Sequence, residues 1–312
     1  MNNRKMWGEK PYHSLDYEMK HRFGEKVYKI SLDGGLTCPN RDGTLDTRGC
    51  IFCSGNGSGD FAAPRCSSVT AQITQGIEGI KKRKQVGRKF IAYFQSFTNT
   101  YAPVAYLEPL YKEALAHPDV VMLSIATRPD LPPDVLHLLA ECNRIKPVIV
   151  ELGLQTSSEA TAQFIRRGYP LSVYDDATTK LKGLGIEVVT HVIAGLPGET
   201  KQDFYNTLSH VAACHSDGIK IQLLHILKGT DLAALYESGQ CTVLTQEEYI
   251  DLVLQSIALL PPEITIHRLT GDGPKELLLA PLWSRKREVL NEIHKQLKQQ
   301  NIWQGKEYKN HE

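Results

Sequence analysis

Gly35-Leu-Thr-Cys38-Pro-Asn-Arg-Asp-Gly-Thr-Leu-Asp-Thr-Arg-Gly-Cys50-Ile-Phe-Cys53 follows directly on a run at 27–32 that has the β-branched, apolar make-up of a strand. Three thiols crowded into one glycine-rich loop are better suited to holding a soft metal than to packing. A structural zinc site closes its tetrahedron with four ligands, usually as two Cys-x2-Cys pairs or one such pair with histidines. Here one pair, Cys50-x2-Cys53, is joined by a single upstream partner, Cys38. Cys66 would complete a four-thiolate zinc site; without it, a [4Fe-4S] cluster on three thiolates keeps one iron open to another ligand. Cys142, Cys214 and Cys241 fall in or near expected helices and read as small apolar fillers.

Outward from this loop, β-branched runs alternate with helical periods. Further strands are expected at 90–94, 120–126, 148–154, 186–193 and 218–224, with a weaker one at 264–267. Between them, Val69, Ile73, Ile77 and Ile80 mark one helix face, and Phe204, Leu208 and Val211 another. Pro103 suits a first helical turn, and Ser172 with Asp175 forms an expected capping pair for a helix stopped by Gly185. The pattern predicts an α/β fold, a partial (β/α)6 TIM-like barrel of about six parallel strands. An N-terminal extension at 1–25, with no clean period, is expected to precede a barrel at 26–275, and a C-terminal helix and tail at 276–312 to follow it. Gln95, Arg128, Gln155, His191 and His225 all come just after or late in strands, so they are expected to share one mouth with the cysteine loop.

The 312 residues are 41% hydrophobic and 23% charged, with a net charge of +1, which excludes a disordered chain and a protein that coats nucleic acid indiscriminately. A local basic patch remains available at Lys81-Lys-Arg-Lys84, Arg88 and Lys89, and at Arg285-Lys-Arg287. The start lacks the apolar segment of a signal peptide, no run is long and apolar enough to span a bilayer, and seven cysteines form no even disulfide framework. A cytoplasmic protein with no membrane partner is expected.

The run Lys29-Ile-Ser-Leu-Asp-Gly-Gly-Leu-Thr-Cys38-Pro-Asn-Arg-Asp-Gly-Thr44, followed by Gly49-Cys50-Ile-Phe-Cys53, resembles the YtqA/YhcC-type radical S-adenosylmethionine (SAM) family, whose relatives include the catalytic subunit of the elongator complex. The usual superfamily spacing, Cys-x3-Cys-x2-Cys, is stretched here to Cys38-x11-Cys50-x2-Cys53. The resemblance implies that the three cysteines hold a [4Fe-4S] cluster and that SAM chelates the open iron. It also implies reductive cleavage of SAM to a 5′-deoxyadenosyl radical, with a low-potential electron donor such as flavodoxin or ferredoxin. Phe52 would pack near the adenine. Thr127-Arg128-Pro129-Asp130 resembles the elongator-like block, with Ala126 where that branch often has a glutamate. In Glu151-Leu-Gly-Leu-Gln155 and Arg166-Arg167-Gly168, the resemblance assigns Gln155 to the ribose or methionyl part and Arg167 to the SAM carboxylate. Gly195-Leu-Pro-Gly198 matches a turn of the same relatives, with His191 where an aspartate is common, and Gln95 and Asn99 stand where the superfamily lines the methionyl amino group.

The substrate implied by these relatives is tRNA, at the C5 side chain of a wobble uridine. No acetyltransferase-like segment follows the barrel, so the elongator reaction is not expected in full. Two other readings remain open: radical chemistry on a small metabolite or protein side chain, and a zinc-stabilised, non-catalytic nucleic-acid-binding protein.

Overall fold

The computed structural model describes residues 5–57, 66 and 68–309. In chain order the elements are α1 (Leu15–Phe23), β1 (Tyr28–Leu32), α2 (Val69–Lys81), β2 (Phe90–Phe94), α3 (Val104–Ala116), β3 (Val120–Thr127), α4 (Pro133–Ile145), β4 (Val148–Gln155), α5 (Glu159–Phe164) and α6 (Leu171–Gly183). They continue with β5 (Glu187–Ala194), α7 (Lys201–Ala213), β6 (Gly218–Leu223), β7 (Ile226–Leu227), α8 (Asp231–Glu237), α9 (Gln246–Leu259), β8 (Thr265–Arg268), β9 (Leu278–Ala280) and α10 (Lys286–Gln299).

Seven strands form one sheet in the order β1-β2-β3-β4-β5-β6-β8, every neighbouring pair parallel. The sheet curls into a half-barrel. The six expected strands are all present, and the weakly patterned run at 264–267 supplies the seventh at the edge. Parallel strands are covered on both faces, so each reads as a nearly unbroken apolar run; all five residues of β2 are buried. Outside, α2, α3, α4, α6, α7 and α9 lay their apolar stripes on the sheet, as in Ile73 and Ile77 of α2 and Phe204 and Leu208 of α7. A short antiparallel pair, β7 with β9, flanks the mouth and was not expected from the pattern.

The N-terminal segment contains α1, although no period marked it. Ser14 caps it by accepting from the Tyr17 amide at 3.3 Å, and Gly24 ends it at φ 77°. Its apolar residues, Leu15, Met19 and Phe23, form a stripe only one residue wide. Met19, 1% exposed, fills the floor of the barrel among Ile91, Met122, Ile149 and Val189. The same segment protects the open edge of β8, where the Ile266 amide donates to the His13 carbonyl at 2.7 Å. Among the described residues no helix is long and apolar enough to cross a membrane.

The expected capping pair of α6 does not form. Pro170 occupies the N-cap position with no side-chain bond, and Asp175 instead accepts from His210 on α7 at 2.7 Å. A proline pre-set in the extended region, φ −74°, starts the helix one turn before Asp175 and releases that carboxylate for a tertiary partner.

Candidate active site

A cavity of about 520 Å³ opens at the C-terminal ends of the strands, where the cysteine loop meets the turns after β2, β3, β4 and β6. Cys38, Cys50 and Cys53 all line it. Asn40 pins their loop from behind. Its amide nitrogen donates to the carbonyls of Arg166 (2.8 Å) and Arg167 (3.2 Å) and to Cys50 Sγ (3.5 Å), and its Oδ1 accepts from Arg128 at 2.9 Å. Arg41 donates to the carbonyls of Cys53 and Ser54 at 2.8 and 2.6 Å. The loop is thereby clamped to the turn after α5, and Gly168 is needed there. It sits at φ +80°, and a Cβ on it would lie 2.6 Å from Asn40 Oδ1.

The donor set, three thiolates with no fourth thiol among the described lining residues, fits a centre that keeps one position open. Three thiolates on one zinc, each at about 2.3 Å, would stand roughly 3.8 Å apart. Among the described residues, the three sulfurs do not come within 4.8 Å of one another as a set. A cluster that offers each thiolate a different iron spreads its ligands further. Burial, with Cys53 and Cys38 adding to it, pushes the Cys50 thiol up to about 12, so its ligation of a metal would displace a proton. Cys66 is not among the lining residues, and its thiol donates to Gln75 Oε1 at 3.2 Å.

Phe52, Gln95, Arg128, Gln155, Arg167, His191 and His225 also line the cavity. Gln95 accepts from Ser31 at 3.3 Å. Gln155 lies at φ +67°, where the register of β4 against β5 slips, a bulge that re-aims its side chain at the mouth. The two arginines are held by protein. Arg128 donates to Asp130 through Nε (3.0 Å) and Nη2 (2.8 Å) and to the Arg167 carbonyl (3.0 Å), and it stacks 4.7 Å from the centre of Tyr169. Arg167, 2% exposed, donates to the carbonyls of Leu154 (3.1 Å), Thr156 (2.6 Å) and Tyr169 (3.0 Å), which fixes the bulge. Asn99 does not join the group. It is buried outside the cavity lining, donating to the Ala126 carbonyl at 2.9 Å.

Beneath the mouth lies a charged layer that the sequence reading missed. Glu151, with no exposed side-chain surface, pairs with both Lys29 and Lys220, accepts from Ser124 at 2.8 Å and meets His191 Nε2 at 2.8 Å. The two ammonium groups stand 4.7 and 4.5 Å from the centre of the Tyr93 ring. Burial pushes the Glu151 carboxyl up, but Lys220 and Lys29, with His191, outweigh it and hold it well below the usual carboxylate range. Burial and then Lys220 pull His191 down to about 4, so its imidazole is neutral at pH 7. Facing a carboxylate, the neutral ring carries its proton on Nε2, which leaves Nδ1 as an acceptor. The signal was a charge in the middle of an apolar strand: Lys29 in β1, Glu151 in β4 and Lys220 in β6.

A profile of the radical SAM superfamily matches residues 47–211, and one of the Radical_SAM C-terminal domain matches residues 216–299. YtqA of Bacillus subtilis (strain 168) is 47% identical over 300 residues, 96% of this chain and 93% of that protein. YhcC of Escherichia coli (strain K12) is 37% identical over 272 residues, 86% of each. A tRNA uridine(34) acetyltransferase of Methanocaldococcus jannaschii is 26% identical over 164 residues, 51% of this chain and only 30% of that protein. Among solved structures, the archaeal Methanocaldococcus infernus Elp3 with its N-terminus deleted superposes with a TM-score of 0.69 at 16% identity, covering 89% of this chain and 64% of that one. That last likeness establishes the half-barrel fold.

Proposed function

The chain belongs to the radical SAM superfamily of enzymes, and on that premise we propose that Cys38, Cys50 and Cys53 hold a [4Fe-4S] cluster with one iron left for SAM. When bound, such a cluster supplies the low-potential electron that cleaves the sulfonium of SAM to give a 5′-deoxyadenosyl radical. The observation that carries this reading is the spread of three thiols, with Cys66 outside, along one edge of a cavity at the strand ends. Family membership sets aside the zinc-stabilised, non-catalytic alternative.

The chain's own residues bind and orient. Asn40 and Arg41 hold the cysteine loop, while Arg128 and Arg167 stiffen the turns on which Gln155 stands. Gln95, Gln155 and the acceptor Nδ1 of His191 offer polar contacts for the methionyl and ribosyl parts of SAM, and Phe52 an aromatic face for its adenine. Asn99 and Arg167 act by positioning, through backbone carbonyls.

The substrate we propose is tRNA, at the C5 side chain of a wobble uridine, with a flavodoxin- or ferredoxin-like donor in the cytoplasm. Support comes from the relative named for uridine 34 of tRNA, which aligns with half of the chain. A second reading, a small metabolite or protein side chain, is favoured by the enclosed Lys29–Glu151–Lys220 layer, whose depth suits a compact polar group. Anaerobic reconstitution tests the first step: a brown protein that releases 5′-deoxyadenosine from SAM is expected, and a colourless one refutes it. Nucleoside analysis of total tRNA from a deletion strain tests the substrate. A missing or accumulating modified uridine supports tRNA, and an unchanged profile under several growth conditions favours the second reading.

A further inference from the structure

On the outer wall of the barrel, apart from the cavity, three side chains aim their donor atoms at one point. Asp175 comes from the middle of α6, His210 from the last turn of α7, and Cys214 is the residue that ends α7. His210 Nε2 lies 2.7 Å from Asp175 Oδ1, Cys214 Sγ lies 3.4 Å from the same oxygen, and Cys214 Sγ lies 3.5 Å from the same ring nitrogen. None of the three lines the cavity.

The combination of Cys, His and Asp invites comparison with a proton relay, but the geometry is wrong for one. A relay places base and orienting carboxylate on opposite ring nitrogens, whereas here the thiol and the carboxylate both meet Nε2. Convergence of three donors on one point is what a cation requires. Taking Zn–S, Zn–N and Zn–O bonds of about 2.3, 2.05 and 2.1 Å at tetrahedral angles, the three edges would be about 3.6 Å (S–N), 3.6 Å (S–O) and 3.4 Å (N–O). The two sulfur edges, 3.5 and 3.4 Å, already match to within about 0.2 Å. The N–O edge must open by about 0.7 Å, within reach of a rotation of the Asp175 side chain, which is 42% exposed. His210 and Cys214 lie one helical turn apart, so α7 presents both from one face. The Tyr174 ring, 6.1 Å from the imidazole, walls one side.

We propose that Asp175, His210 and Cys214 form a second metal site, taking a borderline divalent cation, zinc fitting best, with water as fourth ligand, and tying α6 to α7. Thiolate, imidazole and carboxylate together suit zinc rather than magnesium or calcium, which prefer oxygen alone. A thiol must give up its proton to bind the cation, so loading is favoured by rising pH. The two helices flank β5, the strand that carries His191, so the staple would brace one wall of the cavity from outside.

The test uses the full-length chain carrying Cys38→Ala, Cys50→Ala and Cys53→Ala, which removes the thiols that would compete for zinc. One equivalent of zinc is expected to survive gel filtration, and cobalt(II) is expected to give a near-ultraviolet thiolate charge-transfer band. Adding Cys214→Ser or His210→Ala should abolish the band and cut affinity more than about 100-fold, since a lost ligand exceeds the 10- to 100-fold effect of an outer partner. Absence of the band, or equal zinc retention in Cys214→Ser, overturns the proposal. Should the triple variant not fold, zinc is measured beside iron in the cluster-loaded wild type. One zinc that Cys214→Ser lacks supports the site, and none, or an equal amount in both, refutes it.

Discussion

Replacing Glu151 by Gln probes the charged layer under the mouth most directly. The substitution keeps the shape and an acceptor for Ser124, 2.8 Å away, but removes the charge that faces two lysines. Lys220, only 5% exposed, sits on the wall of the cavity, and Lys29 is 18% exposed. The expected cost approaches that of one orphaned buried cation, about 3–5 kcal/mol, reduced to the extent that Lys220 sheds its proton. With an m-value of about 3 kcal/mol/M, the urea midpoint followed by circular dichroism should fall by roughly 1–1.7 M at pH 7. The pH dependence has a definite sign. The folded carboxyl titrates below its unfolded value of about 4.5, so its contribution is complete above pH 4.5 and is lost as pH falls through the lower, folded value. Burial, only partly offset by Glu151, holds the Lys220 ammonium well below the usual lysine range, and losing the carboxylate lowers it further. The gap between wild type and variant should therefore widen as pH falls through that range and narrow only below pH 4.5, where the Glu151 carboxyl is protonated. Adding Lys220→Met should return more than half of the loss, because a buried pair replaced by apolar atoms is nearly neutral. A midpoint shift under about 0.3 M would mean that the lysines are not held as cations by Glu151, and the reasoning would fail.

Three further outcomes are expected. Cys38→Ala, Cys50→Ala and Cys53→Ala should each reduce reconstituted iron to near zero while Cys66→Ala keeps it, read as iron per chain; loss in Cys66→Ala would contradict the three-ligand site. His191, whose folded value near 4 lies below an unfolded value of 6.5, gives stability that is full above pH 6.5 and lost by pH 4, up to about 3 kcal/mol. The His191→Asn variant should flatten that part of the stability profile, and an unchanged slope would argue against a neutral imidazole. Gly168→Ala, forced into φ +80° and against Asn40, should cost about 1–3 kcal/mol and loosen the cysteine loop, seen as faster loss of iron to a chelator.

The barrel was legible because its strands are buried on both faces and read as unbroken apolar runs between helical periods. The mouth was legible for the same reason: once strand ends are known, Gln95, Arg128, Gln155 and His191 must gather there. What could not be read depends on long-range partners. Asn40 meets carbonyls at residues 166 and 167, and Glu151 meets lysines from the first and sixth strands, contacts that no local period announces. Arg167 looked like a free cationic fork; only the path of the bulge shows that backbone carbonyls occupy it. Asn99 failed as a lining residue because the turn after β2 folds it onto the Ala126 carbonyl. The helix α1 was hidden by a stripe too thin to register as a period, although Met19 is among the most deeply buried residues of the floor.

That floor governs traffic. With Met19 seated among Ile91, Met122, Ile149 and Val189, the floor is packed where the strands begin, and the cavity opens at the cysteine rim. Whatever enters first sits deepest and leaves last. On the proposed function, a group bound at the Glu151 layer would have to arrive before anything that covers Cys50, and a macromolecule resting on the rim would detain small molecules beneath it until it departs. Turnover would then run as a last-in, first-out queue, and a random order of addition in steady-state kinetics would refute it.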